Sequence, residues 1–176
     1  MHRFLSQTAE YALRAMAWLA LVQPAEPVLA RELSEGSGVP PHYLAKILRR
    51  LVLAGLLVSQ KGRGGGFALA RPPEEIRFRD VLAAVDAYPT GDRCAFGWGA
   101  CDETHPCPLH ESRSALATAF REWSATTTLA SVQRGAEHPS ARLPAALRKT
   151  AARRRATVRP ASRPTPRPSP RRRRRP

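Results

Sequence analysis

The sequence predicts a mainly α-helical fold with one small β-hairpin. Three observations carry that reading: apolar residues recur at three- and four-residue steps in several segments, a Gly-rich basic link joins two short strand-like runs, and the charge pattern breaks near residue 140. The chain has 29 Lys and Arg against 14 Asp and Glu, a formal charge of +15. Fourteen of those basic residues, and no acid, lie in 141–176, so residues 1–140 are close to neutral. A stretch of that length suffices for a small domain plus an interaction element. Residues 133–176, rich in Arg and Pro and ending in Arg171 to Arg175, are expected to form a largely disordered basic tail that adds non-specific attraction for nucleic acid.

Residues 5–22 read as the first helix, capped by Ser6, with Leu5, Ala12, Leu13, Met16, Leu19 and Ala20 as its apolar stripe and Pro24 as its stop. A second helix, about Val28 to Ser34, is expected to bury Leu29 and Leu33. Gly36-Ser37-Gly38-Val39 supplies a short turn, and Pro40-Pro41 opens a third helix, where proline is tolerated in the first turn. Its stripe is Tyr43, Leu44, Ile47, Leu48, Leu51 and Val52, and Gly55 closes it. Leu56 to Gln60 and Phe67 to Ala70 then read as two strands joined by Lys61-Gly62-Arg63-Gly64-Gly65-Gly66.

A helix pair at this spacing, followed directly by a hairpin, is a winged helix-turn-helix. The third helix suits the major groove of double-stranded DNA, and the basic hairpin tip suits phosphate or the neighbouring minor groove. The DNA-contact candidates are His42, Tyr43, Ala45, Lys46, Arg49, Arg50, Lys61 and Arg63. The same glycines do not make a nucleotide site: Phe67 stands where a dinucleotide fingerprint needs its last glycine, and no Gly-Lys-Ser or Gly-Lys-Thr follows.

Beyond Arg71-Pro72-Pro73, a short helix near Phe78 to Ala87 buries Val81, Leu82 and Val85. From Pro108 a longer helix carries Leu109, Leu116, Phe120 and Trp123 to about Thr127. A long helix appended to a small domain has little core to join, whereas a homodimer matches DNA half-sites related by a two-fold axis. The domain reading is therefore a winged helix-turn-helix in 1–88, a cysteine-containing loop in 89–107, a dimerisation helix in 108–132 and the tail in 133–176.

All three cysteines, Cys94, Cys101 and Cys107, fall in that loop. Their separations, six and then five residues, are wider than the ligand pairs of structural zinc and fit an iron-sulfur cluster, whose ligands spread over several irons. Zinc and metal-free thiols stay open as alternatives. Asp102 and His105 read as solvent-facing loop residues, and Trp98 receives no role. An odd cysteine count without an export signal points to the cytoplasm. No apolar run is long enough to span a bilayer, because Glu10 and Arg14 interrupt the N-terminal one. No paired-carboxylate, Ser/His/Asp or HExxH pattern occurs, and the five histidines are scattered, so an enzyme is not expected.

Residues 1–129 resemble the Rrf-two family of winged-helix regulators, of IscR and NsrR type. The resemblance is carried by Ser6-Gln7-Thr8-Ala9-Glu10-Tyr11-Ala12-Leu13-Arg14, by Tyr43-Leu44-Ala45-Lys46-Ile47-Leu48, and by Lys61-Gly62-Arg63-Gly64-Gly65-Gly66-Phe67. It implies a homodimer crossed by long C-terminal helices and, in many members, an iron-sulfur cluster of two-iron or four-iron type that controls promoter binding, commonly as a repressor sensing redox, nitric oxide or iron-sulfur status. Cys94, Cys101 and Cys107 match the family's three cysteine positions, although six residues separate the first two where the family pattern has five. The resemblance offers two fourth ligands: His110, as in IscR-like members, or Glu10, as in NsrR-like members that donate an acidic residue across the dimer. The basic tail has no counterpart in the family.

Overall fold

The computed structural model describes residues 4–24, 26–62, 64–88, 98–99 and 103–137. Its elements run α1 (Gln7–Val22), α2 (Ala30–Ser37), α3 (Pro41–Leu53), β1 (Leu57–Gln60), β2 (Gly66–Leu69), α4 (Phe78–Ala84), α5 (His110–Thr126) and α6 (Leu129–Ala136). The mainly α fold with one hairpin is as the sequence predicts. Residues 133–136 of the expected disordered tail are helical, and beyond 137 that tail lies outside the described residues.

α1 is the hub. Ser6 caps it by accepting the Ala9 N–H at 3.2 Å, and the helix packs against α2, α3, α4, α6 and β2. A helix with neighbours on so many sides buries more than one stripe. Ala9, Tyr11, Ala15, Trp18 and Val22 are therefore buried in addition to Ala12, Met16, Leu19 and Ala20, while Leu13 is only partly covered. Where α1 passes α2, a Cβ on Gly36 would collide with the Trp18 indole, so this close approach requires glycine.

α2 starts two residues later than its periodicity suggests. Val28 is used elsewhere: its N–H and C=O pair with Phe67 O and N at 2.9 and 2.8 Å, adding one residue to the edge of the hairpin. Leu29, expected in the core, consequently sits before the first helical turn and is 55% exposed, whereas Leu33 is fully buried. α2 continues through Ser37, whose hydroxyl donates to Leu33 O, and Gly38 closes it. Only Gly38, Val39 and Pro40 then separate α2 from α3, a helix-turn-helix connection.

α3 begins with Pro41 in its first turn and buries Leu44, Ile47, Leu48 and Leu51, four wholly apolar side chains worth about 1.5–3 kcal/mol each. It stops at a Schellman motif: Leu56 N–H reaches Leu51 O at 2.9 Å and Gly55 N–H reaches Val52 O at 3.0 Å. β1 and β2 pair antiparallel from Leu57 with Leu69 to Gln60 with Gly66. A Cβ on Gly66 would strike the Val28 backbone, so glycine here lets the tip-proximal end of β2 dock on the α1–α2 linker.

The helix expected from Pro108 to about Thr127 is α5, and a second helix, α6, begins inside the segment 108–132. Thr127 is extended, its carbonyl accepting the Phe78 N–H at 2.9 Å, and Leu129 N–H donates to Ile76 O at 3.0 Å. Thr128 then caps α6 by accepting the Ser131 N–H. Leu129 is wholly buried in the core around α1, and Gln133 Nε2 donates to Ala20 O at 2.6 Å. The boundary predicted at 132/133 thus falls inside a helix that completes the winged domain. Two β-branched residues, Thr127 in extended backbone and Thr128 as the cap of α6, separate the two helices.

Candidate DNA interface and cysteine segment

On α3 the buried residues define one face, and His42, Ala45, Lys46 and Arg49 lie together on the opposite, exposed face at helical spacing. Leu53, 77% exposed, continues that row at its C-terminal end. Tyr43 stands at its edge, partly exposed, with His42 at 4.3 Å and Tyr11 of α1 edge-on at 5.4 Å between ring centroids. Tyr11 is itself held by the Gln7 amide, which donates to its hydroxyl at 2.8 Å. The N-terminal end of α3, the part that meets base edges in a helix-turn-helix, is thereby braced by an aromatic pair from α1. Lys61 is exposed at the end of β1, and Arg63 lies outside the described residues.

Arg50 is placed differently from the other basic residues. Rotated toward α4, its Nη1 lies 3.0 Å from Asp86 Oδ2, at the end of that helix. Tyr11 and Asp86 are the two residues of this face that sequence reasoning missed. For Tyr11 the signal was present, since it falls one helical turn from Gln7 beside the apolar stripe. For Asp86 none was, because the contact joins residues distant in sequence.

Of the cysteine segment, Cys94 and Cys101 lie outside the described residues. Cys107 is half-buried, and its carbonyl accepts the His110 N–H at 2.9 Å, so both belong to the turn that starts α5. Glu10 is in the first turn of α1, ion-paired with Arg14, whose guanidinium also lies 5.7 Å from the centre of the Tyr11 ring. Among the described residues no three His, Cys, Asp or Glu side chains are grouped closely enough to hold a metal. None of the described helices is long and apolar enough to cross a membrane.

α5 turns Phe120 and the buried Ser124 toward the domain, where Phe120 meets Phe4, Tyr88 and Trp123 and Trp123 packs edge-on against Phe78 at 5.5 Å. The same stripe continues toward the N-terminal end of α5, where Leu109 and Leu116, seven residues apart, are uncovered, and Trp123, a further seven on, is partly so.

A helix-turn-helix with an exposed basic reading face, a hairpin wing docked behind it and a helix reaching past the domain define a winged-helix DNA-binding regulator. The profile of the Rrf2 family, described as an iron-dependent transcriptional regulator, matches residues 5–135. The chain belongs to this family of transcriptional regulators. It is 38% identical over 133 residues to the HTH-type transcriptional regulator Rv1287 of Mycobacterium tuberculosis, covering 75% of this chain and 82% of that protein. Over 106 residues it is 35% identical to the HTH-type transcriptional regulator IscR of Escherichia coli, covering 60% of this chain and 65% of IscR. In fold it resembles CymR, the global cysteine regulator of B. subtilis (TM-score 0.63, 23% identity, 76% of this chain and 98% of that one). It also resembles IscR of T. potens (TM-score 0.62, 24% identity, 82% and 96%).

The exposed row on α3 yields an expected result for Arg49. Arg49→Ala should weaken binding to all duplexes alike and reduce the slope of log affinity against log salt by about 0.9, the share of one phosphate contact. A salt titration by fluorescence anisotropy reads it. An unchanged slope would remove Arg49 from the interface.

Proposed function

We propose that the chain is a homodimeric repressor whose affinity for double-stranded operator DNA is set by an iron-sulfur cluster held on Cys94, Cys101 and Cys107. The observation that carries this reading is the location of the segment: it leaves the winged domain after α4 and ends at Cys107, at the start of α5. A change in its order therefore acts on the connection between the DNA-reading domain and the helix with the uncovered apolar side. The donor chemistry fits such a group. Three thiols with one carboxylate or imidazole make a ligand set of the iron-sulfur kind, and Cys107 lies at the positive end of the α5 dipole, which favours an anionic ligand set.

When bound, the cluster supplies a thiolate-ligated centre that reacts with oxidants and nitric oxide. The chain's own residues do the rest. Cys94, Cys101 and Cys107 draw the two ends of the segment into one frame, and His110, in the same turn as Cys107, is one fourth ligand. The other is Glu10, donated from the α1 of a second copy once it leaves Arg14. α3 presents His42, Tyr43, Ala45 and Lys46 to base edges, with Arg49, Arg50, Lys61 and Arg63 toward phosphate. α5 sets the distance between two such faces, so segment order becomes half-site spacing, a coupling ordinarily worth about 1–3 kcal/mol. The basic tail adds attraction that is independent of sequence.

Anaerobic purification followed by visible absorption and iron and sulfide analysis tests the reading. A coloured protein containing both elements is expected, and its spectrum should change when the true fourth ligand is replaced, Glu10→Ala or His110→Ala. A colourless protein with stoichiometric zinc, or with no metal, ends the cluster assignment in favour of a zinc-bound or cluster-free nucleic-acid-binding scaffold.

A further inference from the structure

α3 and α4 stop in the same way and differ in one residue. In α4, Ala87 N–H reaches Leu82 O at 2.9 Å and Asp86 N–H reaches Ala83 O at 3.1 Å, the same Schellman bonds that close α3. The left-handed position they require is Gly55 after α3, with φ 67°, but Asp86 after α4, with φ 55°. A side chain is disfavoured there, and glycine is the usual occupant. Backbone strain at a non-glycine residue calls for a compensating role. The carboxylate that bears this strain reaches across to α3, Oδ2 lying 3.0 Å from Arg50 Nη1.

Arg50 flanks the row formed by His42, Ala45, Lys46 and Arg49, at the rim of the face that meets DNA. A guanidinium binds carboxylate and phosphate by the same donor geometry. We infer that Asp86 is an internal competitor for DNA phosphate: paired with Asp86, Arg50 is withheld from the backbone of the duplex, and release of the pair adds one phosphate contact. Asp86 is also close to the exit of the winged domain. Tyr88, two residues on, packs 6.5 Å from Phe120 of α5, and the chain then enters the segment containing Cys94. A rearrangement of that segment would reach Asp86 through Tyr88, two residues away. This trigger rests on the reading of residues 94–107 as the regulatory segment, whereas the competition between Asp86 and phosphate does not.

The pair is open to solvent, its side chains 46% and 82% exposed, so the effect is modest and specific in form. The full-length chain, Asp86→Asn, Arg50→Gln and the double variant are titrated against the duplex that the wild-type chain selects from a random-sequence pool. Asparagine tolerates the left-handed conformation, which keeps the helix end intact. Asp86→Asn should tighten binding by about two- to fivefold at low salt, the range of an exposed ion pair. It should also steepen the salt dependence by about 0.9. With Arg50→Gln already present, it should do neither. Asp86→Gly, which relieves the strain, should repeat the gain in binding and raise the melting temperature.

Equal tightening with and without Arg50 would reduce the effect to the loss of one negative charge and overturn the inference, as would unchanged or weaker binding by folded Asp86→Asn and Asp86→Gly. Metal-free and iron-sulfur-reconstituted wild-type protein are compared in parallel. If these two bind equally, the cluster switch fails while the result for Asp86 stands.

Discussion

Leu129→Ala is expected to destabilise the domain by about 2–5 kcal/mol, the range for removing a large aliphatic side chain from a core that cannot collapse around the gap. Leu129 is wholly buried, and its backbone N–H is held by Ile76, so neither the helix nor the side chain can shift easily to fill the space. For a domain of this size the loss corresponds to roughly 10 °C or more in melting temperature. Urea unfolding followed by circular dichroism measures it. If residues 129–136 were the start of a solvated tail, the same substitution would change stability by no more than about 0.5 kcal/mol. The experiment therefore decides whether α6 belongs to the winged domain in solution.

Leu116→Asp acts on the other side of the molecule. Leu116 is 62% exposed and stands midway between Leu109 and Trp123, on the part of the α5 stripe that the domain leaves uncovered. Apolar residues repeating every seven positions form a continuous seam along a helix, the pattern by which two helices pack together. The substitution should leave the fold within about 0.5 kcal/mol of the wild type, because the described residues leave this side chain mostly exposed. It should nevertheless convert the proposed homodimer to monomer in sedimentation, since a carboxylate in the seam would be buried without a partner. Operator affinity should then fall on the order of a hundredfold or more, as the second half-site no longer binds intramolecularly. A Leu116→Asp protein that sediments as a dimer and keeps its affinity would place the interface elsewhere.

The parts of the fold that sequence made legible are those whose determinants are local. α3 and the hairpin were readable because the apolar steps of Leu44, Ile47, Leu48 and Leu51, the stop at Gly55 and the Gly-rich tip lie within a few residues of the structures they specify. The start of α2 was not, because Val28 leaves the helix to pair with Phe67, far along the chain. α6 was missed for a related reason. The preceding helix ends near Thr127 as expected, but what holds a further helix on the domain is Leu129 in the core and its N–H on Ile76, contacts far apart in sequence.

The reading face shows the same division. His42, Ala45, Lys46 and Arg49 follow from helical spacing alone. The pairing of Arg50 depends on where α4 ends, and Asp86 gives no sign in sequence that it adopts the conformation normally reserved for glycine. For the proposed cysteine site, Cys94, Cys101 and Cys107 rest on sequence, and the structure adds only that Cys107 and His110 share the turn that starts α5.

The bond from Gln133 to Ala20 spans 113 residues, joining the last helix of the domain to its central one. During synthesis, therefore, α1, the reading helix and all three cysteines leave the ribosome before the residues that seal the core have emerged. Helices α1 to α4 can form early from local contacts, but the buried surface of α1 stays open on one side until α6 emerges, and contacts this distant form late. The three thiols that the proposed function assigns to a cluster thus emerge on a chain whose winged domain is still unfinished. Exposure of those thiols and closure of the domain are ordered in time by topology alone.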